Sequence, residues 1–163
     1  MTIRPGLAWA VKDNLVSYVE ALDDGIVEAL APATRSGAGF WFPPSGSTTA
    51  LDASDPGTVL QFLGTARFTG HWGALDLELT DPRVELNGRE GTLLIRDRGS
   101  RDPDKVVPFA DLAVDHQERA VDDRWSIGAT ATLTGHGSLL LGGQYSVGEP
   151  MSPVRISFAP RHG

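Results

Sequence analysis

The chain has 163 residues, 40% of them hydrophobic and 21% charged, the composition of one globular domain rather than of a disordered or fibrous chain. It contains no cysteine, which excludes disulfides, thiolate metal sites and a cysteine nucleophile. With 21 acidic against 14 basic residues the net charge is −7, which repels phosphate polymers and anionic lipid, so nucleic acid is not an expected partner.

The N-terminus has no apolar run after Arg4 that would read as an export signal. Asp13 is placed to cap a helix over about 14–23 that Gly25 terminates. At about 100° per residue Leu15, Tyr18 and Leu22 share one stripe, so the Tyr18 ring is expected to point inward, while Glu20 and Asp24 face water. Everything after this helix reads as strand and turn. The glycines and prolines punctuate short segments of alternating polarity, beginning with Phe40-Trp41-Phe42 and a segment over 60–68. The clearest strand is Leu75-Asp76-Leu77-Glu78-Leu79, with three leucines on one face and two carboxylates on the other, before Asp81-Pro82 turns the chain. Val84 and Leu86 restart the pattern, Asn87-Gly88 supplies a tight hairpin turn, and Thr92-Leu93-Leu94-Ile95 returns.

The mixed-charge stretch 96–105 reads as a solvated loop, because its acidic residues are interleaved with the basic ones. Further strands are predicted over 106–114, 125–134, 138–146 and 154–158. About nine strands with one N-terminal helix give a mainly β fold, an antiparallel sandwich or barrel-like domain spanning 1–163. The longest apolar runs, such as Leu139-Leu140-Leu141, fall far short of the ~18 residues that cross a bilayer. The expected location is therefore cytoplasmic as the chain is written, or extracellular if it is a processed fragment.

Catalytic signatures are poor: Gly-x-Ser-x-Gly, His-Glu-x-x-His and the Walker loop are all missing. Two glycine-flanked histidines stand out, His71 in Gly70-His71-Trp72-Gly73 and His136 in Gly135-His136-Gly137. Such a histidine sits on a turn or bulge where a ligand can approach, although most are plain turn residues. The carboxylate pairs Asp23-Asp24, Asp122-Asp123 and Asp111/Asp115 read as surface charge. His162 near the C-terminus and His116 in a polar stretch leave too few placed ligands for a zinc enzyme. Tyrosine is the scarce residue, with only Tyr18 and Tyr145. Each reads as a core aromatic whose hydroxyl needs a partner.

Three ordered motifs stand out. The first is Trp9-Ala10-Val11-Lys12, a helix from Leu15 to Tyr18, and Gly25. The second and most specific runs from Phe68 through Gly70-His71-Trp72-Gly73 and Leu75-Asp76 to Asp81-Pro82. The third is Leu133-Thr134, Tyr145, Gly148 and Pro153-Val154. Together, over residues 7 to about 158, they resemble the HtaA-type haem-binding domain of actinobacterial haem-uptake proteins.

The resemblance implies one ferric b-type haem (haem b) with Tyr18 as iron ligand and His71 and Tyr145 as the other haem-site residues. A phenolate is a hard anionic oxygen that favours ferric over ferrous iron, which suits a carrier that does not activate oxygen. A free phenol holds its proton up to a pH of about 10, so the iron charge must displace it at neutral pH. His71 would donate to the phenolate oxygen or to a propionate, and protonation of its ring would make release pH-dependent. Tyr145 would cover the macrocycle or join that network, Trp72, Phe40 and Phe42 would face the porphyrin, and Arg67 and Arg35 would meet the propionates.

Proteins of this type usually carry an export signal, repeated domains and an anchor. The chain as written shows none, so a stand-alone carrier or buffer exchanging haem with another haem-transfer protein is the expected role. It reads as a binder rather than an enzyme. The alternatives are a haem-dependent peroxidase or haem-degrading enzyme using His136 as distal base, and a haem-free interaction or lipophile-binding module on the same fold.

Overall fold

The structure is a computed structural model that describes residues 5–37, 39–45, 58–121 and 124–158; Arg4, Asp122, Asp123 and His162 lie outside the described residues. Numbered in chain order, the strands of the larger sheet run β3 (Thr34–Ser36), β4 (Gly39–Phe42), β1 (Gly6–Trp9), β12 (Pro150–Phe158), β11 (Trp125–Leu133), β10 (Val106–Arg119), β9 (Glu90–Arg96), β8 (Arg83–Asn87) and β5 (Thr58–Gln61). The smaller sheet is β2 (Ile26–Leu30), β6 (Thr65–Gly70) and β7 (Leu75–Thr80). Neighbours in both sheets pair antiparallel. The mainly β reading with an N-terminal helix holds, and α1 (Asp13–Glu20) is that helix.

Alternating burial explains how both sheets share one core. In β4 the buried side chains are Phe40 and Phe42, in β6 they include Ala66 and Phe68, and in β7 they are Leu77 and Leu79. Phe40 meets Phe68 nearly edge to face, at a 5.8 Å centroid separation and 69° between planes, which ties the two sheets together. Phe40 and Phe42 are therefore core residues, a correction to their expected place against a porphyrin.

Several expectations shift in detail. The segment 60–68 is two strands in different sheets, β5 and β6, with Phe62 to Gly64 crossing between them. The β8–β9 hairpin turns on Gly88-Arg89, with Asn87 paired to Glu90, and only Gly88 of the two turn residues has positive φ. That is the pattern of a turn with glycine at its first central position. The stretch 138–146 is not a strand. It begins in a second helix, α2 (Gly135–Leu140), capped by Thr134, whose Oγ accepts the Gly137 N–H at 3.0 Å. The loop between β9 and β10 is exposed, as its mixed charge predicts.

The N-terminal motif and the start of β12 form a clamp. Trp9 Nε1 donates to the Ser152 carbonyl at 3.0 Å, the Ser152 amide donates to the Val11 carbonyl at 3.0 Å, and Lys12 Nζ donates to the Pro150 carbonyl at 2.7 Å. Lys12 is buried and also pairs with Glu149 at 3.3 Å, which satisfies its charge. This clamp fixes the base of α1 against the strand that closes the fold.

Candidate functional site

Helix α1 supplies the first functional side chain. Lys12 occupies the capping position in extended conformation and Asp13 is the first helical residue, where its charge favours the helix N-terminus. Leu15, Val16 and Val19 are the buried positions, so the apolar stripe is centred between them. Tyr18 lies on the flank of that stripe and is 50% exposed, not turned inward as the leucine spacing predicts.

The second side chain comes from the link between β6 and β7, a single 3-10 turn, His71–Gly73. His71 and Trp72 have φ of 49° and 55°, the left-handed region, and neither is glycine. Each such residue costs roughly 1–2 kcal/mol, so the turn persists only because its surroundings hold it. Asp24, in the loop after α1, accepts the His71 amide on one carboxylate oxygen at 3.1 Å and the Trp72 amide on the other at 2.6 Å. So held, His71 places Nε2 2.5 Å from Tyr18 Oη. The rings lie 5.7 Å apart at 47°, so they meet at their polar tips rather than stacking.

The third wall follows α2. Ser138 Oγ donates to the Tyr145 carbonyl at 2.6 Å, folding the loop after the helix back on it. Lys12 Nζ sits 5.4 Å from the Tyr145 ring centre, a cation–π contact that links this loop to the clamp. The Tyr145 hydroxyl is pushed above the ordinary phenol value by burial first, then by the charges of Glu149 and Tyr18.

These three walls enclose a cleft of about 590 Å³. Tyr18, His71 and Tyr145 line it together, with Leu15, Leu75, Leu77, Leu140 and Leu141 supplying apolar surface. A phenol and an imidazole facing each other at the mouth of a leucine-lined cleft can offer an oxygen ligand and a hydrogen-bond partner to it. Among the described residues no three of His, Asp and Glu come together as they would around a bare metal ion.

The other expected site residues are not in this cleft. Trp72 is next to His71 in sequence but 85% exposed and outside the lining. Its left-handed φ and the reversal of the turn direct it away from the cavity. Arg67 lies on the face of β6 opposite Phe68, between Glu28 at 3.5 Å and Glu78 at 3.6 Å. Arg35 is bonded to the Val27 carbonyl and to Glu20, over the Phe40 ring. His136 is exposed in the first turn of α2, and His116 is exposed beside Glu118. Asp23, Asp111 and Asp115 are exposed, as surface charge should be, whereas Asp24 is half-buried and engaged.

Sequence reasoning missed Asp24 and the α2 wall. Asp24 looks like ordinary surface charge because its role depends on a backbone 47 positions away. Thr134, followed by a short apolar run, was a usable helix signal, but three successive leucines fit strand and helix equally.

A family model described as Htaa matches residues 5–157. The fold is similar to the crystal structure of the C-terminal domain of HtaA from Corynebacterium glutamicum, at 23% identity and a TM-score of 0.77, covering 95% of this chain and 96% of that one. It is equally similar to the N-terminal domain of the same protein, with 21% identity, a TM-score of 0.77 and 99% of both chains covered. A further likeness is to the haem-binding protein HtaB from Corynebacterium glutamicum, at 20% identity and a TM-score of 0.69, covering 93% of this chain and 90% of that one. No curated protein sequence matches the chain at a significant level.

Proposed function

Because the chain belongs to the HtaA family, we propose that it binds one haem in the cleft between α1, the His71 turn and the α2 loop, with Tyr18 as the iron ligand. The observation that carries this reading is the Tyr18 Oη to His71 Nε2 contact of 2.5 Å at the mouth of that cleft. The residues present fit the group. The cleft volume falls within the ~300–1,000 Å³ of small-molecule and cofactor sites, five leucines and Ala74 supply its apolar surface beside Asp76 and Gln144, and it presents a half-exposed phenol with no lysine or arginine in the lining.

Ferric haem, when bound, would supply an iron that takes an anionic oxygen ligand, an apolar macrocycle and two carboxylates. Tyr18 would hold the iron by releasing its phenolic proton to solvent and presenting an anionic oxygen, the ligand type that favours the oxidised metal. His71, with its proton on Nε2, donates to that oxygen, draws charge from it and fixes the phenol's direction. Tyr145 remains a neutral phenol, because burial and the nearby anionic charge both oppose its ionisation. It is thus a donor at the cleft edge rather than a second anionic ligand. The leucines of the lining would keep water from an apolar group held in the cleft.

A carrier fits this arrangement better than an enzyme that activates peroxide or oxygen. Among the described lining residues His71 is the only histidine, and it is engaged with Tyr18. His136, the base that a peroxidase reading requires, projects from α2 outside the cleft. The role is holding haem and exchanging it with another haem-transfer protein. The test is titration of the isolated protein with ferric haem, followed by visible absorption. Saturation at one equivalent with a ferric-tyrosinate charge-transfer band is expected; no saturable binding would leave the haem-free module as the reading.

A further inference from the structure

We propose that Asp24 is the positioning residue of this site, which holds His71 in register with Tyr18 by gripping two consecutive backbone amides of a left-handed turn. Its carboxylate takes the His71 N–H at 3.1 Å and the Trp72 N–H at 2.6 Å, one on each oxygen. Those two residues are the ones with φ of 49° and 55°. A carboxylate that accepts one amide on each oxygen stabilises the conformation presenting both amides in one direction, and such charge-assisted bonds are the stronger kind. The grip therefore acts where the backbone is least content.

The chain is arranged to make the grip possible. Asp24 lies in the short loop that ends α1, four residues beyond Glu20. The same helix carries Tyr18, so Asp24 ties the element bearing the phenol to the turn bearing the imidazole. The approach is close: a side chain on Gly25 would strike the Val19 carbonyl oxygen, and one on Gly70 would lie 2.8 Å from Leu22 Cδ1 and 3.7 Å from Gly25 Cα. Two glycines thus allow the loop and the end of β6 to meet, which delivers the carboxylate to the amides. Asp24 is not itself one of the residues lining the cleft, and the Tyr18 hydroxyl is bonded to His71 rather than to its carboxylate. Its effect on the site runs through His71.

The proposal rests on the haem reading for its consequence but not for its geometry, and the experiment separates the two. In the haem-free protein, amide hydrogen exchange at His71 and Trp72 is compared between wild type and Asp24→Asn, with Asp24→Glu as a second variant should the first fail to fold by circular dichroism. Asn keeps one acceptor oxygen and turns an NH2 toward the other amide, so exchange at these two positions is expected to quicken by roughly tenfold while protection in β10 and β11 stays put. Haem dissociation is then measured for wild type, Asp24→Asn, His71→Ala and the double variant. Asp24→Asn should approach the rate of His71→Ala, and the double variant should be no faster than His71→Ala, because both changes remove one interaction. Unchanged amide protection, or additive effects in the double variant, would overturn the proposal. If wild type binds no haem, the haem reading fails while the amide result still decides what Asp24 holds.

Discussion

Tyr145 shows how much of a residue's role depends on its surroundings. Its hydroxyl titrates above the ordinary phenol value of 10.0 because burial, Glu149 and Tyr18 all disfavour its anion. The native state therefore keeps this proton in a range where the unfolded chain has lost it. The associated stability is full below about pH 10 and falls as pH rises through the raised native value. In Tyr145→Phe that part of the alkaline loss should vanish, as measured by chemical denaturation across pH 8–12, and the phenolate absorbance removed by the substitution should be the part that appears above the ordinary value. With two tyrosines in the chain the difference spectrum assigns it directly. The candidate site was legible at this scale in its three principal residues, Tyr18, His71 and Tyr145, because scarce tyrosines and a glycine-flanked histidine stand out and match a family pattern. The aromatics and cations added around them were not: Phe40 and Phe42 are core, Trp72 points out and Arg67 is paired on an outer face. Residue type alone cannot tell a pocket wall from a core when both want phenylalanine.

At the scale of elements, the site exists because α1 and the end of β6 meet closely. Gly25→Ala should cost about 1–3 kcal/mol, since the new methyl collides with the Val19 carbonyl in the helix backbone, which cannot move without unwinding the last turn. Gly70→Ala should cost less, because what it meets is Leu22 Cδ1, the end of a flexible side chain. Urea denaturation of the two variants checks the order; equal costs would mean that the loop and strand are not in the tight contact described. The strands 75–79 and 84–86 were readable from alternation, 92–95 from the hairpin turn before it, and the helix from its Asp13 start, although its buried positions are Leu15, Val16 and Val19 rather than the stripe of Leu15, Tyr18 and Leu22. Short edge strands such as β3, with three exposed residues, carry no alternation to read. Helix α2 was missed because its leucines form a run without a period, and its cap, Thr134, looked like the end of the preceding strand.

For the whole molecule, two antiparallel sheets share one core through contacts such as Phe40 on Phe68, and the bonds of Trp9 and Lys12 to the start of β12 fix the base of α1 beside them. The net charge of −7 works against a ligand that carries two carboxylates. On the proposed reading, affinity would come from apolar contact with the leucines and from a bond between Tyr18 oxygen and iron, not from general electrostatic attraction. Tyr18→Phe removes that oxygen and keeps the ring on α1. The measurement that tests the account most directly is ferric haem titration of wild type and Tyr18→Phe side by side, read by visible absorption. The variant is expected to lose the tyrosinate charge-transfer band and more than about 100-fold in affinity, beyond the ~10–100-fold that loss of an outer hydrogen-bond partner costs. An unchanged spectrum and affinity in Tyr18→Phe would contradict it.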